Sequence, residues 1–298
     1  MNPFHRAWKV FAYQMGRVNS SPRIPILFLI IGIYIYSTVE PVAYFARSVG
    51  IASTPWIFPH LTSDYICQMV FMAGVIFLFC DAPFTDESYS YIVSRSGRTA
   101  WSAGHVLYIA AMSLIYVFFI AGASVLPLLN SLQGSWHWGK VLGTLARTNA
   151  GRQYGMTFTV SNYLTGAYSP ATAALYSFLL EWACAAWFGL LTYFFNAVTH
   201  RMVGTFLSAA FVLLDLMISN EWTPRAFAFS PITLSQLSTF KSFKIQFGIT
   251  LSYAAKFFII SLSVLAALCI CRGFLTRFIR STRRSLFKKQ GRSGTVNG

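Results

Sequence analysis

The sequence has few charged residues, and very few of those are acids. Charged residues make up 10% of its 298 positions, with 8 Asp and Glu against 23 Lys and Arg. Soluble domains carry roughly 25% charged residues, whereas 55% of this chain is hydrophobic and its mean hydropathy is +0.55. The composition excludes an ordinary soluble domain and predicts an integral membrane protein.

The sequence also lacks the motifs of self-contained enzymes. It contains no G-x-x-x-x-G-K-[ST] phosphate loop, G-x-G-x-x-G turn, H-E-x-x-H zinc helix or G-x-S-x-G elbow. Its five histidines are scattered, and its five cysteines lie in or beside apolar runs without metal-type spacing. We therefore predict that the chain is not an enzyme and has no catalytic residue, metal site or cofactor of its own.

What the sequence does have is long apolar runs. Runs of about 20 residues match the roughly 30 Å of hydrocarbon that a membrane helix crosses. They predict an all-α integral membrane protein, with a six-span domain over residues 24–271. The six predicted spans are Ile24–Tyr44, Leu61–Cys80, Ala103–Leu129, Ala171–Val198, Met202–Ile218 and Ile249–Cys271.

The basic residues are distributed as membrane topology requires. With six spans both termini lie on one side, which then carries 15 Lys and Arg against 7 on the other. The positive-inside rule predicts that this side is cytoplasmic, in a multi-pass protein of the cell (plasma) membrane. Because the positive charge flanks the spans, we predict lipid contact rather than binding to nucleic acid.

Both termini carry segments suited to the membrane surface. Residues 1–23 place Phe4, Trp8, Phe11 and Met15 on one face of a predicted amphipathic helix, with basic residues around it. Such a helix is expected to lie in the interface, although packing against a protein partner is the alternative. Residues 272–298 form a basic cytoplasmic tail, interpreted as a topology anchor.

Two loops on the outer side are too long and too apolar to be simple connectors. They cover residues 130–170, with "SWHWGKVLGTL", and residues 220–248, with "EWTPRAFAFSPITLSQL". We predict that both form short interfacial or re-entrant helices, because apolar side chains are poorly solvated in free loops.

A small set of ionisable residues falls inside predicted spans, and we single out Glu181, Asp215 and Lys256, which lie in the outer half of the membrane. A lone charge at that depth is costly, so each is expected to face the bundle interior or water. The hypothesis is that Lys256 pairs with Glu181 or Asp215 and that Glu181 lines a substrate path. The alternatives are a structural pair, or an Asp215 that reaches the outer headgroups.

Three of the eight acids lie between the second and third predicted spans, in "CDAPFTDESYSYIVSRSGRTAW". Thr85 is a predicted N-cap, Asp86 and Glu87 suit the first turn, and Arg95 and Gly97 suit the end of a helix over residues 85–97. Tyr and Arg are enriched where proteins dock. We predict a cytoplasmic docking helix that uses the following residues: Thr85, Asp86, Glu87, Tyr89, Tyr91, Ile92 and Arg95.

This arrangement resembles the permease subunit of an ATP-binding cassette (ABC) transporter, of the six-helix type-2 exporter class found in Gram-positive bacteria. The residues that carry the resemblance are "DAPF" at 81–84, "SRSGRTAWSAGHVLY" at 94–108 and "FSPITLSQL" at 229–237. The resemblance implies a dimer with a second permease, identical or different. It also implies separate ATPase subunits that bind ATP and Mg²⁺, dock on the 85–97 helix and drive export. The aromatic content favours an amphipathic substrate such as a peptide, lipid or drug.

Three other classes remain open from the sequence. The first is a secondary transporter driven by an ion gradient, with Glu181, Asp215 and Lys256 as a relay. The second is a membrane scaffold or sensor that transports nothing. The third, an intramembrane enzyme, is disfavoured by the missing catalytic groups.

Overall fold

The protein is all-helical over the part of the chain that the structure, a computed structural model, describes: residues 2–18, 21–84, 89–199, 201–220, 224–240 and 249–271. No strand occurs in these ranges, and Ser53 and Leu132 form an isolated bridge. The α-helices are α1 (Pro3–Gly16), α2 (Arg23–Val49), α3 (Phe58–Leu61), α4 (Tyr65–Phe79), α5 (Tyr89–Ser96), α6 (Arg98–Ala123), α7 (Gly139–Arg147), α8 (Ala150–Gln153), α9 (Asn162–Ala167), α10 (Pro170–Thr199), α11 (Val203–Ser219), α12 (Pro231–Ser235) and α13 (Leu251–Cys271). Short 3₁₀ helices span Leu126–Ser131, Pro224–Ala228 and Leu237–Thr239.

Four of these helices are long and apolar enough to cross a membrane: α2, α6 with the 3₁₀ turn after it, α10 and α13. Helices α4 and α11 are apolar but shorter, at 15 and 17 residues. The prediction of an all-α membrane protein is therefore confirmed. The six predicted spans coincide with these four long and two short helices.

Helix α10 forms the centre of the bundle. Of the residues in its most apolar 18-residue stretch, 67% are buried, whereas in the corresponding stretch of α13 only 22% are buried. Helices α4, α6, α11 and α12 all pack against α10. A side chain that α10 turns inward is therefore surrounded by other helices.

Helix α1 packs along α6, at the end of the bundle that we call the α1 end. Ala7, Val10 and Gln14 form its buried stripe. A Cβ atom at Gly104 of α6 would lie 2.6 Å from Val10 Cβ, so a glycine is needed for this close approach. The amphipathic helix predicted for the N-terminus is present, but one of its faces is buried against protein.

The predicted outward face of α1 is only partly exposed. Phe4 and Trp8 are 68% and 51% exposed, whereas Phe11 and Met15 are half-buried and pack against the core. The helix can therefore contact the bundle with one face and present Phe4 and Trp8 to a bilayer.

The opposite end of the bundle is capped by α3 and α7 to α9. His60 in α3 is fully buried, its Nδ1 accepts a hydrogen bond from the Ser161 amide at 3.2 Å, and its ring lies 5.0 Å from that of Trp138. Burial lowers the pKa of His60 to about 3. The loop at 130–170 thus folds onto the protein, with Val141, Leu142 and Leu145 of α7 buried.

Candidate functional site

A group of buried polar side chains lies where α12 enters the bundle. All five residues of α12 are buried, and it contacts both α10 and α11. Non-helical backbone is tolerated at membrane depth only where protein or a water-filled cavity surrounds it. The short helix predicted within residues 220–248 is therefore re-entrant into protein. The side chains that meet here, named the polar cluster, are Gln68, Glu181, Asp215, Thr233, Ser235 and Gln236.

Gln68 joins two elements of the polar cluster. Its Nε2 donates to Glu181 Oε2 of α10 at 2.9 Å and to Ser235 Oγ of α12 at 2.8 Å. All three residues are fully buried. One amide of α4 therefore fixes the position of α12 against α10.

Asp215 holds the other side of α12. Its Oδ1 accepts a hydrogen bond from Thr233 Oγ1 at 2.5 Å, and its Oδ2 accepts one from Gln236 Nε2 at 3.5 Å. Ser230 caps α12, because its Oγ accepts the Thr233 amide at 3.3 Å. Two carboxyl groups on neighbouring helices thus hold one re-entrant segment between them.

The electrostatics of Glu181 are unusual for a structural residue. It lies 11 positions into α10, which is roughly 17 Å along the helix. Within the described part of the chain, its Oε1 atom has no hydrogen-bond partner, and neither has Gln68 Oε1. A carboxylate costs several kcal/mol in such surroundings unless a cation or a proton accompanies it. Glu181 is thus suited to receive a cation, a proton or a polar substrate group.

The structure brings two of the three predicted intramembrane residues to one site and leaves the third outside. Glu181 is linked to Ser235 of α12 through the amide of Gln68, and Asp215 accepts a hydrogen bond directly from Thr233 of α12. Lys256 is exposed on α13 and makes no salt bridge with a described carboxylate. The predicted pairing of Lys256 is therefore wrong, because α13 turns that side chain away from the bundle.

Sequence reasoning missed the residues that connect the two carboxyl groups. Gln68 is the one amide in the apolar run "YICQMVFMAGVIFLF", and that isolation was the available signal. Thr233, Ser235 and Gln236 lie within "FSPITLSQL", where nothing in the local sequence distinguishes them from polar residues of an ordinary loop.

A second candidate surface lies at the α1 end. Helix α5 covers Tyr89–Ser96 of the predicted 85–97 helix, and Thr85, Asp86 and Glu87 lie outside the described residues, as does the tail at 272–298. Gly97 follows α5 with φ of 85°, in agreement with its predicted role at the end of the helix. None of the eight residues of α5 is buried.

The described residues of the predicted docking helix differ in exposure. Tyr91 is 62% exposed, and Arg95 Nη1 donates to its Oη at 2.6 Å, with the guanidinium 5.4 Å from the ring centroid. Tyr89 instead packs edge-on against Trp101 at 5.2 Å, and Ile92 is half-buried. Tyr89 therefore anchors α5, while Tyr91 and Arg95 form its free face.

A groove of about 450 Å³ separates α1 from α5. It is both basic and aromatic, and none of the described residues that line it is an acid. The lining residues are Arg6, Lys9, Val10, Tyr13, Tyr91, Ile92, Arg95 and Ser96.

Among the described residues, no group of three or more His, Cys, Asp or Glu side chains could hold a metal ion. No protein-family model, curated protein or solved structure matches this chain.

Proposed function

We propose that the protein is the membrane-spanning permease subunit of an ATP-driven ABC exporter of the type-2 class, coupled to separate ATPase subunits. The observation that carries this proposal is α5, an amphipathic helix between two apolar helices with no buried residue. One side of α5 packs against the bundle through Tyr89 and Ile92, whereas Tyr91 and Arg95 on its other side are exposed. Because Tyr and Arg are enriched where proteins dock, a partner surface explains this exposed side best.

The partner proposed for α5 is an ATPase with an acidic, partly apolar docking segment. Arg6, Lys9 and Arg95 supply three positive charges around the groove, and Tyr91 and Ile92 supply an apolar floor. Interfaces are enriched in Tyr and Arg and use charge complementarity to orient partners. ATP and Mg²⁺ would bind to the partner, and α5 would pass its movement to α6, against which it packs. In this assignment the α1 end faces the cytoplasm, in the cell membrane.

The polar cluster is the proposed substrate-facing element. Glu181 and Gln68 each keep one unpartnered oxygen at the centre of the bundle, surrounded by apolar and aromatic side chains. Such a site suits an amphipathic substrate with a positive or hydrogen-bonding group. A second permease, identical or different, would complete the path along an interface between the two chains.

The test is recovery of an ATPase with the permease. Purification in a mild detergent should yield a soluble subunit with a phosphate loop and measurable ATP hydrolysis. Tyr91→Glu and Ile92→Asp should abolish this recovery, because each places an acid where an acidic partner docks. Ala12→Glu adds the same charge at an exposed position of α1 that does not line the groove, and should leave recovery unchanged. Recovery of an intact, folded permease without any ATPase would refute the proposal.

One observation favours a second candidate, a transporter driven by an ion gradient. Glu181 is buried without a described cation, and such carboxyl groups serve as proton carriers in membrane transporters. This alternative would use Glu181 and Asp215 but not the exposed Lys256. Glu181→Gln should abolish transport if Glu181 carries a proton. If it lowers affinity for a cationic substrate while ATP-dependent transport continues, the exporter is supported.

A further inference from the structure

A separate cavity of about 310 Å³ lies at the α1 end, between α1, the start of α2, the end of α4 and α6. This volume falls at the lower end of the roughly 300–1,000 Å³ of ligand pockets. It does not share a residue with the groove between α1 and α5. The lining residues are Gln14, Arg17, Val18, Ser21, Arg23, Ile24, Leu78, Asp81, Phe84 and Tyr108.

The polar groups of this cavity are mainly hydrogen-bond donors. Gln14 is 5% exposed, and its Nε2 has no hydrogen-bond partner among the residues that the structure describes. The Arg23 Nε atom is also buried without a partner. A buried donor that is left unsatisfied costs about 1–3 kcal/mol, so the cavity is built to receive an acceptor.

The charges of the cavity favour an anion. Arg23 forms an ion pair with Asp81 and its Nη1 lies 3.3 Å from Cys80 Sγ, which fixes the guanidinium in place. Arg17 lies at the mouth, with its guanidinium 5.7 Å from the Tyr13 ring centroid. Among the described lining residues, two are arginines and one is an aspartate. Arginine is the usual partner of phosphate groups, because its donors form a planar fork.

We propose that this cavity binds a phosphate group, and that the phosphate belongs to the headgroup of an anionic phospholipid. Gln14 Nε2 and Arg23 Nε donate to the phosphate oxygens, and Arg17 closes the site from the surface. A phosphate that bridges α1 and α2 would tie the amphipathic helix to the first membrane-crossing helix.

The position of the cavity argues for a lipid source. It opens where α1, with Phe4 and Trp8 exposed, meets the first residue of α2, the first long apolar helix. Aromatic and basic residues at such a junction belong to the headgroup level of a bilayer. The lining also contains the apolar side chains of Ile24, Leu78 and Phe84.

The experiment measures lipid binding to delipidated protein in a neutral detergent, by native mass spectrometry and by thermal unfolding. The probes are phosphatidylglycerol, phosphatidylcholine and inorganic phosphate. Phosphatidylglycerol should bind more tightly than phosphatidylcholine and should raise the unfolding temperature. Gln14→Leu and Arg17→Gln should each weaken it about tenfold, as expected for the loss of one hydrogen bond to a charged group. Both substitutions leave the Arg23–Asp81 ion pair intact.

Lys9→Gln is the matched control, because it removes one positive charge from α1 at a position outside this cavity. Equal losses in Lys9→Gln and Arg17→Gln would show non-specific charge attraction and overturn the proposal. Unchanged phosphatidylglycerol binding in Gln14→Leu and Arg17→Gln would also overturn it. If inorganic phosphate alone stabilises the protein, and the same two substitutions remove the effect, the lipid assignment is overturned in favour of a soluble phosphate.

Discussion

Gln68 offers the sharpest test of how the polar cluster is held together. Gln68→Met keeps the length of the side chain but removes the Nε2 donor that serves Glu181 Oε2 and Ser235 Oγ. Interhelical hydrogen bonds in membranes contribute about 0.6 kcal/mol on average and up to about 1.7. A buried carboxyl that is left without this donor adds about 1–3 kcal/mol. The expected loss in the free energy of unfolding is therefore about 2–4 kcal/mol.

A double-mutant cycle separates this interaction from simple loss of packing. Glu181→Met alone should lower the free energy of unfolding by less than Gln68→Met does, because Gln68 keeps its hydrogen bond to Ser235. The double variant should be close to Glu181→Met alone, since replacing both polar partners by apolar groups of similar shape is nearly neutral. The coupling energy should thus equal in size the cost of Gln68→Met alone, about 2–4 kcal/mol.

The assay is unfolding of the purified protein in mixed micelles, followed by far-UV circular dichroism. Gln153→Met, an exposed amide on α8, is the control and should change stability by less than about 0.5 kcal/mol. Strictly additive effects of the two substitutions would refute the reasoning, as would a Gln68→Met variant as stable as the control.

Two further predictions concern other parts of the bundle. A Cβ atom at Gly74 would lie 2.1 Å from Tyr116 Oη. Gly74→Ala should therefore lower the free energy of unfolding by an overpacking cost of about 1–3 kcal/mol, measured as a lower unfolding temperature, and Tyr116→Phe should partly rescue it. Gly122→Ala, with open space around the added atom, should leave the unfolding temperature unchanged, and equal effects of the two glycine substitutions would contradict the packing. Because burial lowers the pKa of His60 from 6.5 to about 3, its contribution to stability is complete above pH 6.5 and is lost as the pH falls toward 3, by about 2 kcal/mol at pH 5. Thermal unfolding between pH 7 and pH 5 should show this loss, His60→Asn should remove it, and His137→Asn, at an exposed position, should not.

The sequence by itself determined the class of fold and the ends of the bundle. Apolar runs of membrane-crossing length were enough to place α2, α6, α10 and α13, because the hydrophobic thickness of a bilayer sets helix length directly. The amphipathic pattern of residues 1–23 likewise predicted α1, and the segment between the second and third spans predicted a helix there, on which Tyr91 and Arg95 are exposed; their docking role stays a prediction. These features depend on local sequence alone.

The tertiary structure decided which polar residues meet. Hydropathy places Glu181, Asp215 and Lys256 at similar depths, but it does not say which way each helix is rotated. The structure turns Glu181 and Asp215 inward onto α12, leaves Lys256 outside, and adds Gln68, which is separated from Glu181 by 113 residues in the chain. The rotation of a membrane helix is set by packing against its neighbours, so the partners of a buried polar group follow from contacts that are distant in the sequence.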